Sequence, residues 1–165
     1  MSTAYGRLAT LDDIARYSSR LTARTLVFDI EPFVAQWDSS QETLDDGIAR
    51  VLDHVGTIPG LLVVCFATNS SRRPSVLPSG LGVQVEYLAS AAKPLQTAPY
   101  RLFPRPGIVI GDQILTDGLL ARRLGYNFLH YCPEPAGMPR GPRLLNRLGT
   151  LARPVLWRGT PDCRE

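Results

Sequence analysis

The stretch Thr25-Leu26-Val27-Phe28-Asp29-Ile30-Glu31-Pro32-Phe33-Val34 decides the fold. Four strand-forming residues run straight into a carboxylate. A second carboxylate follows two positions later, and Pro32 forbids a regular continuation. An apolar run of this length, bounded by a breaker, reads as a short, fully buried strand. Its carboxyl end carries Asp29 and Glu31. In an open α/β sheet the ligand sits outside the carboxyl ends of the strands, so two acids stand where a ligand would bind. An aspartate after an apolar strand is also a common turn or cap residue, so the rest of the chain has to decide.

On either side of this strand the pattern alternates. Residues 8–21 carry Leu8, Leu11, Ile14, Ala15 and Leu21 with Asp12 and Asp13 near the start, as in a helix with acids at its positive end. Residues 41–55 place Leu44, Ile48, Val51, Leu52 and Val55 at helical spacing, capped by Ser39 or Ser40. Further strands are predicted at 61–67, 83–88, 107–111 and 127–131. A poor helix containing Pro99 and a better one over 116–124 separate the last three. Strands alternating with helices imply a three-layer α/β/α sandwich around a Rossmann-like, mostly parallel sheet of five strands. The expected division is a core over residues 1–135 and a basic linker and C-terminal segment over 136–165, the Pro/Gly-rich linker running from Pro133 to Pro142.

Composition narrows the class. The 165 residues are 44% hydrophobic and 20% charged, as in a globular domain, and no apolar run approaches a membrane span. Cys65, Cys132 and Cys163 form no CxxC pair, and no signal-peptide pattern opens the chain. His54 and His130 have no companion at ligand spacing. A cytoplasmic location is expected from these features. Residues 1–139 carry 12 basic and 13 acidic side chains, and residues 140–165 carry six arginines and two acids. The body is therefore neutral, and no nucleic-acid groove is expected. Seventeen of the eighteen basic residues are arginine, which makes the single lysine, Lys93, conspicuous. A compact ammonium and a planar guanidinium do not exchange freely where one phosphate oxygen must be met.

The strand exits read together carry the chemistry. Strand 25–29 ends in Asp29, the next in Thr68-Asn69, Lys93 follows the third, and the fourth runs into Gly111-Asp112-Gln113 with Thr116-Asp117 beyond. In a doubly wound sheet these ends converge on one edge. A carboxylate nucleophile, a hydroxyl, one ammonium and a further pair of acids then surround one pocket. Acids hold Mg²⁺, which prefers oxygen ligands. Lysine and hydroxyl neutralise and position phosphoryl oxygens, and a carboxylate can accept the phosphoryl group.

This order resembles the haloacid dehalogenase (HAD) superfamily of phosphatases, closest to its subclass IIIA group of YqeG-like and phosphatidylglycerophosphate phosphatase-like proteins. The carrying residues are Asp29-Ile30-Glu31, Thr68-Asn69, Ala92-Lys93-Pro94 and Gly111-Asp112-Gln113-Ile114-Leu115-Thr116-Asp117. The resemblance covers about residues 8–135 and extends toward Asn146-Arg147. It implies an Mg²⁺-dependent phosphomonoesterase. Asp29 would be the nucleophile and Glu31 would stand at the acid/base position. Thr68, Asn69 and Lys93 would hold the phosphoryl group. Asp29, the Glu31 carbonyl and Asp112 would ligate the metal, supported by Asp117. The family pattern D-x-D-x-T reads Asp29-Ile30-Glu31-Pro32-Phe33 here. Glutamate reaches on the order of 1 Å further, a displacement that can cost about 100-fold in rate. Phe33 removes a hydroxyl. A catalytically weak module that binds a phosphorylated ligand or protein partner is therefore the alternative.

Substrate size follows from the gaps between motifs. Thirty-six residues separate Glu31 from Thr68 and 24 separate Thr68 from Lys93, too few for a cap domain beside the elements already placed there. A capless, open mouth suits a large phosphorylated substrate, a protein or a lipid such as phosphatidylglycerophosphate. In the basic segment Leu144, Leu148, Leu151 and Val155 share helical spacing, Pro154 limits the helix, and Arg140, Arg143, Arg147, Arg153 and Arg158 flank the stripe. Two readings stand: peripheral contact of residues 140–158 with the inner membrane face, or a helix packed on the domain with its arginines in water.

Overall fold

A computed structural model describes residues 3–8, 10–80, 82–132 and 138–157. The strands are β1 (Tyr5–Leu8), β2 (Thr25–Asp29), β3 (Val63–Ala67), β4 (Gln84–Leu88), β5 (Gly107–Gly111) and β6 (Asn127–Tyr131). The helices are α1 (Leu11–Arg20), α2 (Gln41–Val55), α3 (Leu119–Leu124) and α4 (Arg140–Leu156). A 3₁₀ turn at Ala98–Leu102 and a π-helical turn at Ile114–Gly118 complete the set. The poor helix expected around Pro99 is the 3₁₀ turn. The helix expected from 116 starts as the π turn and becomes α-helical only at Leu119.

The sheet has six strands in the order β1-β6-β5-β2-β3-β4, and every pairing is parallel. The expectation of five strands misses β1. Tyr5–Leu8 is four residues long and lies on an edge, and its last residue also opens the apolar spacing that predicts a helix from residue 8. The helix proper begins at Leu11, after Thr10, whose N–H is held by the Asp13 carboxylate.

Alternation along β2 assigns its side chains to two layers. Leu26 and Phe28 join Ile14 of α1 and Leu44, Ile48 and Leu52 of α2 in one buried cluster. Val27 joins Val109, Leu120, Leu124, Phe128 and Trp157 in the other, beneath α3 and the end of α4. Phe33, where the family pattern has a hydroxyl, stacks on Phe28 and meets Tyr131 edge-on, so it serves the core.

Two features of this architecture position the site. The chain proceeds from β2 outward to β3 and β4, then returns to lay β5 on the other side of β2. The carboxyl ends of β2 and β5 thus flank the point where strand order reverses, the place where open α/β sheets bind ligands. The gaps on either side of Thr68 hold only loops with α2 and β3, and loops with β4, among the described residues.

Residues 140–156 pack onto the core. Gly149 is the buried residue of α4, and a Cβ there would come within 3.1 Å of Ile114. Trp157 lies against Tyr5 and Phe128, and Arg122 donates to the Leu156 carbonyl. The helix continues through Pro154 into its last turn. The packed edge is therefore small and polar, and Leu144, Leu148, Leu151 and Val155 face solvent. The helix thus packs on the domain with Arg140, Arg143 and Arg147 exposed, as in the second reading, but it does so through its small edge and leaves the leucine stripe outward. The start of the linker at Pro133, the boundary at 135/136, Arg158 and Cys163 lie outside the described residues. Among the described residues no helix is long and apolar enough to cross a membrane.

Candidate functional site

Asp29 ends the central strand, so burial on both sheet faces leaves its carboxylate at the floor of a cleft with only 8% of the residue exposed. The Lys93 ammonium meets Asp29 Oδ1 at 2.8 Å and Asp117 Oδ1 at 2.8 Å, and donates to the Ala67 carbonyl at 3.2 Å. These contacts use all three of its N–H bonds. Asp112 follows β5 directly, and oxygens of Asp29, Asp112 and Asp117 lie within 4.8 Å of one another. Gly111 is required at the end of β5, because a Cβ there would stand 2.3 Å from Asp117 Oδ2. The same Asp117 oxygen accepts the Gln113 N–H at 3.3 Å, which pins the π turn to the centre.

Three buried carboxylates against one buried ammonium leave an excess of two negative charges if all are ionised. Burying uncompensated charge is costly, so protons or a cation must make up the difference. Burial and the neighbouring Asp117 push the Asp29 carboxyl well up, against the pull of Lys93. Burial, again with Asp117, pushes the Asp112 carboxyl up to about 7. The balance for Lys93 goes the other way. Burial disfavours its charge, but Asp117 and Asp29 more than offset that and hold the ammonium protonated.

The raised Asp112 carboxyl has a consequence for stability. Between the ordinary carboxylate range and pH 7 the folded chain holds a proton at Asp112 that the unfolded chain has released, so this group's contribution to stability falls as pH rises through that window. At about 1.4 kcal/mol per unit, Asp112 alone contributes a loss on the order of 4 kcal/mol. Denaturant unfolding in EDTA at pH 5 and pH 8 is expected to show the lower midpoint at pH 8. Equal midpoints would mean that the acids are not strained by each other.

Asp112 is anchored from α4 and β6. Its Oδ2 accepts from Asn146 Nδ2 of α4 at 3.1 Å, and its backbone carbonyl accepts from His130 Nε2 at 2.9 Å. The other His130 nitrogen accepts from the Tyr5 hydroxyl at 2.8 Å, so the ring is satisfied on both sides, and burial pushes its pKa down. His130 supports the site from behind. Asp112 Oδ1 is buried and has no hydrogen-bond partner.

Glu31 and Thr68 form the opposite wall. Thr68 Oγ1 donates to Glu31 Oε2 at 2.7 Å, and Glu31 Oε1 lies 3.7 Å from the Arg72 guanidinium. Arg72 in turn donates to the carbonyls of Gln36 and Ser39, fastening the loop after β2 to the exit of β3. The extra methylene of glutamate is thus used, since it carries the carboxylate to Thr68 and Arg72. Asn69 spends its amide on the Lys93 backbone, accepting its N–H at 2.7 Å and donating to its carbonyl at 3.1 Å. It shapes the lysine loop, where Ala92 takes a left-handed φ of 48°.

Together Asp29, Glu31, Thr68, Asn69 and Lys93 line one half-open cleft of about 300 Å³, with Trp37, Gln113, Thr116 and Leu145 around it. All the residues singled out by sequence are brought together, with Asp112 and Asp117 beneath the floor. Three contributors carry no local sequence signal. Arg72 follows an unremarkable Ser-Ser turn, Trp37 sits in a loop, and His130 lies within a strand.

The chain matches no known family model, no curated protein and no solved structure. The chemistry therefore rests on the arrangement itself. Its donors are all hard carboxylate oxygens, its charge excess is that of one divalent cation, and one buried oxygen awaits a partner. That set fits Mg²⁺, which is bound through a few carboxylates and keeps water or phosphate oxygens for its remaining positions.

Proposed function

We propose that the protein is an Mg²⁺-dependent phosphomonoester hydrolase that works through phosphorylated Asp29. The observation that carries this reading is the Asp29–Lys93–Asp117 cluster with Asp112 at the switch point of the sheet. Asp29 and Asp112, with Asp117 behind them, would hold the metal, which would supply charge neutralisation for the phosphoryl oxygens.

In the first half-reaction an Asp29 carboxylate oxygen attacks phosphorus. The bond from phosphorus to the ester oxygen breaks, and the leaving alkoxide takes a proton from Glu31. In the second, Glu31 removes a proton from water as that water attacks the phosphorus of phospho-Asp29, which releases inorganic phosphate and restores the carboxylate. Lys93 favours the ionised form of Asp29 and fixes its orientation, and the charge of a bound metal would offset the burial that opposes ionisation. Thr68 and Arg72 hold Glu31 at the cleft wall between turnovers. A cleft of about 300 Å³ takes a phosphate and its nearest atoms and leaves the rest of a large substrate outside.

Hydrolysis of p-nitrophenyl phosphate with Mg²⁺ and with EDTA tests the reading. Turnover only with Mg²⁺ is expected, and the same background rate in both would contradict it. In that case the second reading applies, a module that binds a phosphorylated ligand. It is favoured by Glu31, whose carboxylate is already engaged by Thr68.

Asn146 provides a test at a distance. Partners that orient a metal ligand are typically worth 10–100-fold in affinity or activity. Asn146→Ala frees Asp112 Oδ2 and is expected to weaken Mg²⁺ activation about tenfold, read as a shift in half-saturating Mg²⁺. No shift would make that hydrogen bond incidental.

A further inference from the structure

We propose that the outward face of α4 is a docking surface for an anionic bilayer. Leu144, Leu148, Leu151 and Val155 lie along one side of this helix, and their exposures of 58%, 46%, 77% and 71% show that the domain does not cover them. At 100° per residue the four fall within about 60° of one another, a continuous ridge on a helix about 25 Å long. The opposite edge, through Asn146, Gly149 and Arg153, is the one packed against the domain. The ridge is therefore turned outward by packing and is not left open by a loose helix.

Charge selects the occupant. Arg140 and Arg147 fall together on one flank of the ridge, both exposed, and no acidic residue occurs anywhere in 138–157. A second copy of this chain, docked antiparallel, would set the arginine flank against itself, and docked parallel it would set that flank against Gly141, Leu145 and Ala152, with no acid to meet it in either case. A protein partner usually offers or fills a pocket at the centre of its contact, and this surface is a convex row of aliphatic side chains. A bilayer requires no pocket. It takes aliphatic side chains to the depth of the acyl boundary and leaves arginines among anionic headgroups.

Position supports the same occupant and rests on the phosphatase reading. Leu145, one residue from the ridge, lines the catalytic cleft, and Asn146 touches Asp112. A bilayer against α4 would hold the cleft beside its surface, where a phosphate ester presented from the membrane is within reach.

Vesicle flotation of the full chain tests this. With phosphatidylcholine vesicles rich in phosphatidylglycerol at low salt, the protein is expected to float. With pure phosphatidylcholine, or at high salt, it is expected to stay behind. The double substitution Leu148→Glu and Leu151→Glu should lower partition at least tenfold, with unchanged thermal stability because both positions are exposed. Arg140→Gln and Arg147→Gln should each cost about fivefold. Asp29→Asn should float like wild type, so a failure of the phosphatase reading leaves this result intact. Absence of flotation on anionic vesicles at low salt would overturn the proposal, as would equal flotation of the double variant. A dimer seen by light scattering and abolished by the same double variant would assign the face to a second copy and overturn it too.

Discussion

Lys93→Arg is expected to destabilise the protein by about 3 kcal/mol and to reduce turnover at least 100-fold, although it keeps the charge. The ammonium sits with 2% of its side chain exposed and divides its three donors among Asp29, Asp117 and the Ala67 carbonyl. A guanidinium is larger, planar and fixed in its fork, so it cannot address three directions from one atom. Forcing extra atoms into a packed site typically costs about 1–3 kcal/mol, and the misdirected Asp29 adds to that. Lys93→Met is harsher, because it leaves Asp29 and Asp117 buried without compensation, at a cost of roughly 3–5 kcal/mol. Denaturant midpoints and turnover on p-nitrophenyl phosphate measure both. Lys93→Arg with wild-type stability and turnover would show that any cation suffices here.

Asp29→Asn separates chemistry from stability. The amide oxygen still accepts from Lys93, and the nucleophilic carboxylate is gone. Turnover is expected to fall by at least about 10⁴-fold, as when a nucleophile is removed from a preorganised site. Stability without metal is expected to rise at pH 8, because one charge leaves an over-negative cluster. The stabilisation added by Mg²⁺ should largely vanish. Stability lost without metal would mean that Asp29 is held mainly as the counter-charge of Lys93.

Most of the fold is legible in the sequence because it is carried by local signals. β2, β3, β5 and β6 are apolar runs bounded by breakers, and α2 has its cap and its spacing. Tyr5–Leu8 escapes because four residues on an edge contain no period worth counting, and their pairing with β6 spans more than 120 residues. The site is legible to the extent that it sits on strand ends, where order along the chain becomes proximity. Asp29, Thr68, Lys93, Asp112 and Asp117 all converge for that reason. Their mutual roles are not readable in that way. Whether Lys93 would meet a substrate or two aspartates, and whether Asn69 would face the cleft or the lysine loop, depends on packing between elements. The tail shows the same limit. Helical spacing marks the leucine stripe, and the packing of Asn146, Gly149 and Arg153 on the domain turns it outward.

The proposed mechanism requires Asp29 to carry the phosphoryl group during turnover, and that species can be trapped. The protein would be mixed with p-nitrophenyl phosphate and Mg²⁺, quenched in acid within seconds, and mapped by peptide mass spectrometry. One phosphoryl group is expected on the peptide containing Asp29, labile to hydroxylamine and absent from Asp29→Asn. Turnover without any phosphorylated peptide, or a phosphoryl group on another residue, would contradict it.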